Sequence, residues 1–460
     1  MKTSRRQFIQ SASIVSIGFL GLNRLVQALP KNEAFGYGPL KKDPSGILNL
    51  PEGFSYRIIS RAGDRMSDGF YSPGRPDGMA TFANKQGRLI LIRNHEIDPG
   101  SDDGPYGKGL SLLDKMNRKK VYDFGSGKTP STGGTSTLVY NEKTGEVETS
   151  YLSLTGTNRN CAGGLTPWGS WISCEENTDR ADGTMEKNHG YNFEVPASRK
   201  PQLVDPVPLK EMGRFNHEAV SIDPKTSIVY QTEDRPDGII YRFIPYVSEQ
   251  LSQGGRLQAL VVKEQPSFDT RNWKDLDGPK MPLRQPMTIE WIDLQDVDSP
   301  EDDLRYRGFD QGAARFARGE GMWFGENELF FACTNGGKIG AGQVFRYVPS
   351  PYEGTDREKE APGQLELFLE SEDTDLLKSC DNLTITPWGD LMLCEDDPHP
   401  FIVGVTRQGE LYKLGENVGF PSEFAGGVFS PSGETYFVNI QDAGLTLAIT
   451  GPWQEGLKKA

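Results

Sequence analysis

A hairpin motif that recurs six times constrains the fold of this chain more than any other feature of its sequence. Each copy has a short apolar run, a turn rich in Gly, Pro, Asn or Asp, and a second apolar run that ends in polar or acidic residues. Two copies share the turn Thr-Pro-Trp-Gly and then the pair Cys-Glu followed by a further acid. Short runs joined by such turns predict antiparallel β-hairpins. The copies cover residues 80–96, 165–176, 220–234, 322–335, 385–397 and 429–442.

Radial repetition of small antiparallel sheets is the β-propeller architecture, in which the first strand of each blade lines a central channel. The spacing between copies leaves room for two more strands and an insertion in each unit. Glycine (53 residues) and proline (31 residues) are frequent, as expected for many turns between short strands. We therefore predict an all-β protein, a β-propeller with six blades and inter-blade insertions.

The ends of the hairpins are the candidate functional positions. In a propeller the loop that enters strand one and the loop that leaves strand two lie on the same face, so these residues should converge at one mouth of the channel. Almost every such segment supplies a carboxylate or an amide. Hairpin position alone makes metal-ligand candidates of Glu96, Glu175, Glu218, Asp381 and Glu423.

The negative net charge of the chain favours cations as the species bound at the channel mouth. A formal net charge of −14 makes nucleic acid and anionic membrane surfaces poor partners. Several carboxylates at one mouth cannot all ionise without counter-charge, and oxygen ligands select hard ions, with Ca²⁺ the leading candidate outside the cytoplasm. Four histidines are too few for a His-rich zinc or copper site, whereas the single soft thiolate of Cys161 suits iron. The alternative is that these acids are solvated loop residues.

Residues 1–28 predict an export signal that is not part of the fold. Arg5 and Arg6 precede Phe8 and an apolar run that ends at Leu22, which is typical of a twin-arginine signal. The run is too short for a membrane span, so we expect no stable membrane insertion. We predict one propeller domain at 29–460, which works as a monomer in the periplasm or outside the cell after export by the twin-arginine machinery. An uncleaved N-terminal anchor is the alternative.

The cysteines leave two interpretations open, because an exported protein can keep disulfides. Cys161 and Cys174 bracket one hairpin, and Cys380 and Cys394 bracket another, so cross-strand disulfides are geometrically conceivable. Cys161 cannot both ligate iron and pair with Cys174. Cys333 is predicted to be a small buried apolar residue.

Four segments recur in an order that carries a family resemblance. They are "RNCAGGLTPWGSWISCEE" at 159–176, "GRFNHEAVSIDPKTSIVYQTEDR" at 213–235, "RGEGMW" at 318–323 and "CDNLTITPWGDLMLCEDD" at 380–397. They resemble the signature segments of the PhoX-type secreted alkaline phosphatases. The resemblance implies a propeller with a buried cluster of Fe³⁺ and Ca²⁺ ions that hydrolyses phosphate esters, with phosphomonoesters expected. It implies that Cys161 is the thiolate ligand of iron, and that the acids on the metals include Glu176, Glu233, Glu320, and Glu395 or Asp396.

The same resemblance implies that Arg318 of "RGEG" holds the substrate phosphate and has the catalytic role. Arg318 lies two residues before Glu320, and residues i and i+2 of an extended segment point to the same side. A planar guanidinium suits this role because it binds phosphate oxygens in pairs. Arg235, at a hairpin end, is a second substrate-binding candidate. The alternative for Arg318 is a structural salt bridge to a neighbouring acid.

Two other functions stay open on the sequence alone. One is a calcium-dependent propeller lactonase or esterase, and the other is a non-catalytic periplasmic propeller that binds a partner. Cys161 and Arg318 favour iron and phosphate over the oxygen-only site expected of a lactonase, and a binding propeller would not need a mouth crowded with acids. His95 and His217 are predicted as hydrogen-bonded core residues rather than metal ligands.

Overall fold

The computed structural model describes residues 35–84 and 87–457, so the predicted signal at 1–28 lies outside the described residues. The described chain is built mainly of short strands that pair with antiparallel neighbours. In chain order they are β1 (Leu40–Lys41), β2 (Leu48–Pro51), β3 (Ser55–Arg61), β4 (Pro76–Ala83), β5 (Arg88–His95), β6 (Gly133–Asn141), β7 (Glu146–Thr157), β8 (Asn160–Leu165), β9 (Ser170–Glu175), β10 (Asn192–Pro196), β11 (His217–Ile222), β12 (Val229–Glu233), β13 (Gly238–Ile239), β14 (Tyr241–Pro245), β15 (Gly255–Val262), β16 (Met287–Asp293), β17 (Arg315–Phe316), β18 (Gly319–Phe324), β19 (Leu329–Cys333), β20 (Gln343–Val348), β21 (Gln364–Glu370), β22 (Cys380–Ile385), β23 (Leu391–Glu395), β24 (Phe401–Val405), β25 (Leu411–Asn417), β26 (Phe424–Phe429), β27 (Thr435–Ile440) and β28 (Leu445–Thr450).

In the described part of the chain, helices are few and short. Two of them are α-helices, α1 (Leu304–Asp310) and α2 (Trp453–Gly456). Single 3₁₀ turns occupy Lys108–Leu110, Leu113–Lys115, Arg118–Lys120, Gly125–Gly127, Lys210–Met212, Leu251–Gln253 and Glu358–Glu360. Within 35–84 and 87–457, no helix has the length and apolar character needed to cross a membrane.

Six strands form a closed inner ring. Each packs against the next in the order β4, β8, β11, β18, β22 and β26, and β26 returns to β4. Behind each inner strand, further strands pair outward by antiparallel neighbours. We call the resulting sheets units one to six: β4-β5-β6-β7, β8-β9-β10, β11-β12-β14-β15, β18-β19-β20-β21, β22-β23-β24-β25 and β26-β27-β28-β3. Each predicted hairpin contains the end of the first strand, the turn and the whole second strand of one unit. The all-β propeller prediction is confirmed.

Connections between the units complete the ring. β3, close to the start of the described chain, is the outer strand of unit six and pairs with β28 from the end of the chain. β2 extends unit five by pairing with β25. β16 pairs with both β15 and β21, so units three and four share one nine-stranded sheet. Six independent blade sheets therefore stay a prediction, whereas the ring of six inner strands is observed.

The core is divided among the contacts between neighbouring units. Each of six hydrophobic clusters joins the facing sides of two adjacent units; for example, Trp171 and Phe193 of unit two pack on Ile92 of unit one. Glycines let the inner strands come close together. A Cβ on Gly164 of β8 would lie 2.1 Å from the backbone oxygen of Val220 in β11. The ring is thus tightly packed, and it holds the strand ends at the channel mouth in fixed positions.

Candidate metal centre

Each unit presents an equivalent residue at one mouth of the channel, the second residue of its inner strand. In units one to five this residue falls in a β-bulge, where the pairing register with the second strand shifts. Bulges re-aim side chains and are frequent next to active sites. We call this the inner position. It is occupied by Asp77, Cys161, Glu218, Glu320, Asp381 and Ala425.

A second equivalent residue, the outer position, directly follows the second strand of each unit. Its backbone N–H donates to the carbonyl oxygen of the residue two before the inner position, at 2.9 to 3.3 Å in all six units. We call the residue that supplies this carbonyl the rim position. The outer positions are Glu96, Glu176, Asp234, Thr334, Asp396 and Gln441, and the rim positions are Arg75, Arg159, Asn216, Arg318, Ser379 and Glu423.

Nine side chains from these three positions form one continuous cluster. They fall into four overlapping groups, and within each group one ligand atom per residue lies within 4.8 Å of the others. Cys161, Glu218 and Asp381 each belong to two groups and so link them. The groups are Asp77–Glu96–Cys161, Cys161–Glu176–Glu218, Glu218–Glu320–Asp381 and Asp381–Asp396–Glu423. The structure therefore brings together eight of the predicted metal ligands, namely Glu96, Cys161, Glu176, Glu218, Glu320, Asp381, Asp396 and Glu423.

The other three predicted ligands, Glu175, Glu233 and Glu395, lie outside this cluster. Each is the last residue of its strand, one residue before an outer position, and successive side chains on a strand point to opposite faces. Glu175 accepts hydrogen bonds from three backbone N–H groups at 2.9 to 3.2 Å, and Glu395 accepts from two at 2.8 and 2.9 Å. Glu233 accepts from the Tyr241 hydroxyl at 2.8 Å. In the structure these three acids do not join the cluster, and each accepts hydrogen bonds from groups of its own unit.

The acids at the mouth cannot all carry their charge unaided. Desolvation, with the charge of Glu96 adding to it, raises the pKa of Asp77 to about 7. Desolvation, together with Asp234 and Glu96, raises the pKa of Glu176 to about 8. Desolvation and neighbouring carboxylates likewise raise the pKa values of four more carboxyls well above their usual range, those of Glu218, Glu320, Asp381 and Glu423. Without added positive charge, the mouth would have to hold protons in place of ions.

Unpartnered oxygens at the centre point to cations. Both carboxylate oxygens of buried Glu218 and Oδ1 of Asp77 find no hydrogen-bond partner among the residues that the structure describes. A buried carboxylate oxygen left unpaired is costly, and it is the ligand that a hard cation prefers. Cys161 adds a thiol whose pKa is raised by desolvation and by Asp77 and Glu218, so a metal would have to displace its proton. The donor set fits several metal cations.

Arg318 lies over the cluster and is held by two acids. Its Nε and Nη2 donate to Asp234 at 2.8 and 2.9 Å, and Nη2 also donates to Glu320 at 2.9 Å. Glu320 raises the pKa of Arg318 in spite of desolvation. The predicted side-by-side orientation of Arg318 and Glu320 is therefore present, together with the salt bridge considered as its alternative. Arg235 lies apart and pairs with Asp302 at 3.3 Å.

Four residues at the mouth were absent from the predicted site. Asp77 occupies the inner position of unit one, and its place before Gly78 at the start of the first hairpin was the available signal. Asp234 occupies the outer position of unit three. Arg75 and Arg159 occupy rim positions, as Arg318 does. The sequence shows that each arginine lies two residues before an inner position. This offset indicates a place at the mouth only after the hairpins have been aligned in register.

The cysteines are free thiols, and their positions explain why. Cys380 belongs to the cluster between units four and five, whereas Cys394 belongs to the cluster between units five and six, so the two point to opposite faces of one sheet. Cys174 lies in the core between units two and three, away from Cys161 at the mouth. Cys333 is buried in the core, as predicted.

Both histidines near the mouth are core residues, as expected. The ring nitrogens of His95 lie 2.8 Å from the Gly74 carbonyl oxygen and 2.8 Å from the Ser136 hydroxyl. His217 lies 3.0 Å from the carbonyl oxygen of Gly213 and stacks on Phe215. Burial lowers the pKa of both histidines, so both stay neutral. Neither belongs to the cluster.

Comparison with known families identifies the family to which this chain belongs. The model of the family described as alkaline phosphatase PhoX matches residues 35–444, which include every position of the cluster. The chain belongs to the PhoX alkaline phosphatase family. As a PhoX protein it is an enzyme, a metal-dependent phosphatase that acts on phosphate esters. The lactonase and binding-protein alternatives are not favoured.

One solved structure supports the fold, and a second is similar only at a low TM-score. One is similar over 93% of this chain and 100% of its own, with 17% identity and a TM-score of 0.65: Pseudomonas fluorescens PhoX in complex with vanadate, a transition state analogue. A second, the gluconolactonase XC5397 from Xanthomonas campestris, has 13% identity over 90% of this chain and 98% of its own, with a TM-score of only 0.37. No curated protein sequence matches the chain.

Proposed function

We propose that this PhoX protein hydrolyses phosphomonoesters at a multinuclear centre of Fe³⁺ and Ca²⁺ in the channel mouth. The observation that carries the proposal is the convergence of eight carboxylates and one thiol into one linked cluster, with both oxygens of Glu218 unpartnered among the described residues. The ligands would be Asp77, Glu96, Cys161, Glu176, Glu218, Glu320, Asp381, Asp396 and Glu423.

The donor atoms divide the cluster into two kinds of site. Two groups contain the thiol of Cys161, a soft donor that suits iron. The groups built on Glu320 and Asp396 contain oxygen donors only, and such sets suit Ca²⁺. Bound metal ions would stabilise the charge that develops on phosphoryl oxygens and lower the pKa of a bound water.

The chain itself would position the substrate. Arg318 would bind the phosphate of the ester, because a guanidinium matches phosphate oxygens in geometry and charge. Asp234 and Glu320 fix the orientation of its Nε and Nη2, and no described residue accepts a hydrogen bond from its Nη1. Arg235 is tied to Asp302 and is left out of the proposed phosphate site.

The proposal extends to the whole chain. Residues 29–460 would form one catalytic domain, and residues 1–28 would direct export by the twin-arginine pathway. The enzyme would act in the periplasm or outside the cell, as a monomer, on small soluble phosphate esters. The net charge of −14 supports the absence of nucleic acid among its partners.

Metal analysis combined with an activity assay tests this proposal. Protein exported by its own signal and purified without chelator should contain iron and calcium and should hydrolyse a chromogenic phosphomonoester. Prolonged exposure to a calcium chelator should abolish activity, and added Ca²⁺ should restore part of it. Cys161→Ala should lose iron and keep calcium, because it removes the only thiol of the cluster.

Cys333→Ala is the matched control. Cys333 is a buried thiol of the core that belongs to no group of the cluster. The iron content of the Cys333→Ala protein should therefore equal that of the wild type. Active protein that contains only zinc and magnesium would contradict the proposal. Equal iron content in the Cys161 and Cys333 variants would remove the thiol from the ligand set.

A further inference from the structure

The rim positions of units two and four carry the same residue in the same setting. Arg159 and Arg318 each lie two residues before an inner position, and each has a left-handed backbone, with φ of 46° and 49°. Their carbonyl oxygens accept the N–H groups of Glu176 and Thr334 at 2.9 and 3.1 Å. Ser379 shares this conformation, so the backbone belongs to the repeat, whereas the guanidinium is specific to particular units.

Both guanidinium groups contact buried carboxylates, and both side chains remain partly exposed to solvent. The Arg159 side chain is 35% exposed and the Arg318 side chain 30%, although their partners Glu96 and Glu320 are 5% and 3% exposed. Nη2 of Arg159 lies 2.5 Å from Glu96 and 2.8 Å from Glu176, and Nε donates to the backbone oxygen of Glu176 at 3.2 Å. For both arginines, Nη1 has no hydrogen-bond acceptor among the described residues.

Arg75 shares the rim position but not this free nitrogen. Its Nε donates to the backbone oxygen of Glu96 at 3.0 Å, its Nη1 to Asp442 at 2.6 Å and its Nη2 to the Glu96 carboxylate at 2.8 Å. All three guanidinium nitrogens of Arg75 are therefore occupied within the protein. Its partners place it between units six and one, away from unit three.

Arg159 and Arg318 flank unit three, which supplies Glu218. Between them lies the rim residue of unit three, Asn216, whose amide donates to Glu176 and to the backbone oxygen of Asp234, both at 3.1 Å. Glu176 is a partner of Arg159, and Asp234 is a partner of Arg318. The two guanidinium groups are thus held on either side of the one buried carboxylate whose two oxygens are both unpartnered among the described residues.

We propose that Arg159 is a second phosphate-binding residue and that it forms, with Arg318, a two-armed clamp on the phosphoryl group of the substrate. The inference rests on the proposed function, because it adds an arm to the same site. A phosphoryl group in transfer spreads its charge over three equatorial oxygens, so two donors from opposite sides bind different oxygens without competing. The open Nη1 of each arginine is the donor available for this contact.

Binding of inorganic phosphate to the metal-loaded enzyme tests the clamp. Calorimetry and competitive inhibition should show phosphate affinity about tenfold or more weaker in Arg159→Ala, the scale of one lost charge-assisted hydrogen bond. Metal content should stay at the wild-type level. Arg159→Lys should recover the affinity only in part, because an ammonium binds as a point charge. Arg318→Ala should show a loss of similar size.

Arg75→Ala and Arg75→Lys are the matched controls, since they disturb the same partner, Glu96, from the other side. Their phosphate affinity should stay within about twofold of wild type once metal is loaded. The clamp is overturned if Arg159→Ala, fully loaded with metal, binds phosphate as tightly as wild type. A second result would also overturn the clamp. In it, Arg159→Ala and Arg75→Ala lose metal to the same extent, and Arg159→Lys restores both metal content and phosphate affinity. Arg159 would then serve only to neutralise the carboxylates beside it.

Measurements on the wild-type enzyme distinguish a failure of the clamp from a failure of the proposed function. A wild-type enzyme that contains no iron or calcium and has no phosphate-inhibited phosphomonoesterase activity would overturn the proposed function itself. A wild-type enzyme that has both, with Arg159 variants unchanged in phosphate affinity, would overturn the clamp alone.

Discussion

At the scale of single residues, adjacent acids at a hairpin end have opposite roles. Glu175 is buried and paired, with three backbone N–H donors and the ring of His189 at 2.6 Å. Burial alone would lower the pKa of His189, but Glu175 and Asp123 raise it to about 9, so the imidazole of His189 is charged at neutral pH. Glu176, one residue later, faces the cluster, and desolvation and its neighbours raise its pKa to about 8. One acid stabilises the fold, and the other acid is available to a metal.

Neutralising each acid in turn should separate these roles. We expect Glu175→Gln to lower the free energy of unfolding by roughly 2–4 kcal/mol, because it removes the nearer of the two carboxylates beside a buried imidazolium and leaves only Asp123, at 3.4 Å. We expect Glu176→Gln to change the stability of the metal-free protein by less than about 1 kcal/mol, or to raise it, since it removes a repelled charge. Its activity should fall by about 100-fold or more, on the scale of losing one group that stabilises the transition state.

Urea unfolding in chelator, together with metal analysis, measures both effects. The same contrast should hold for Glu395→Gln against Asp396→Asn in unit five, which occupy the equivalent positions. A Glu175 variant of normal stability that has lost its metal would show that the assignment of the two faces is reversed.

These neighbours also mark the limit of residue-level prediction. The sequence shows that a hairpin ends in Cys-Glu-Glu or Glu-Asp, but side chains alternate along a strand, so a single step of register decides which acid faces the mouth. The register is set by bulges in the paired inner strands, such as that between Asn160 and Gly163. A bulge is a property of two strands together, and nothing in one strand's sequence fixes it. The orientation of Arg318 beside Glu320 was predictable because the two-residue offset between them is local.

At the scale of the element, the inner strands depend on glycine to bring the side chains of the cluster together. A Cβ added to Gly321 of β18 would lie 2.4 Å from the backbone nitrogen of Leu383 and 2.7 Å from the backbone oxygen of Asp381, both in β22. Backbone atoms cannot move aside without shifting the strand. Gly321 directly follows Glu320 of the cluster, and the atoms that its Cβ would strike belong to the segment that carries Asp381.

Gly321→Ala should therefore push β22 away from β18 and separate Glu320 from Asp381. We expect a loss of roughly 1–3 kcal/mol in stability, the usual cost of overpacking, and a weaker affinity for calcium. Gly325→Ala, after the far end of the same strand, is the matched control: its Cβ would meet the terminal methyl of Ile385 at 3.1 Å, which can turn away. Calcium titration of both variants gives the answer. Equal calcium affinity in both would show that close strand approach does not set the site.

Element-level prediction succeeded where the signal is local and failed where pairing is distant. Each hairpin contains its own turn residues, so all six were visible in the sequence. The pairing of β16 with β21 and of β2 with β25 joins segments that are far apart in the chain, and neither carries a marker for its partner. Edge pairing of this kind depends on which sheet edges the closed ring leaves open.

At the scale of the whole molecule, the metal centre should govern how stability depends on pH. In the metal-free protein the folded-state pKa values of Asp77 and Glu176 are raised to about 7 and about 8, above their unfolded values. The folded state then binds more protons than the unfolded state between about pH 4 and pH 8, so its stability falls as pH rises through that range. Metal ions replace those protons and should remove the slope.

Unfolding by urea at pH 5 and at pH 8 tests this expectation. The metal-free protein should be less stable at pH 8 by more than about 2 kcal/mol, and the metal-saturated protein should show a smaller change. His189 also has a raised pKa, so it removes stability above neutral pH in the metal-free and the metal-saturated protein alike. The metal-saturated protein is therefore the control for the contribution of His189. Metal-free protein of equal stability at the two pH values would mean that the mouth acids are not held protonated.

The pairing of β3 with β28 has a consequence for biosynthesis. The side chains of the cluster are drawn from Asp77 to Glu423, and unit six is completed only when residues 445–450 meet residues 55–61. A growing chain in which residues 424–450 have not yet been made holds the side chains of the cluster but no closed ring to align them. We therefore expect the capacity to hold metal to be acquired abruptly once these residues have been made, so that partial chains do not trap ions in a wrong arrangement.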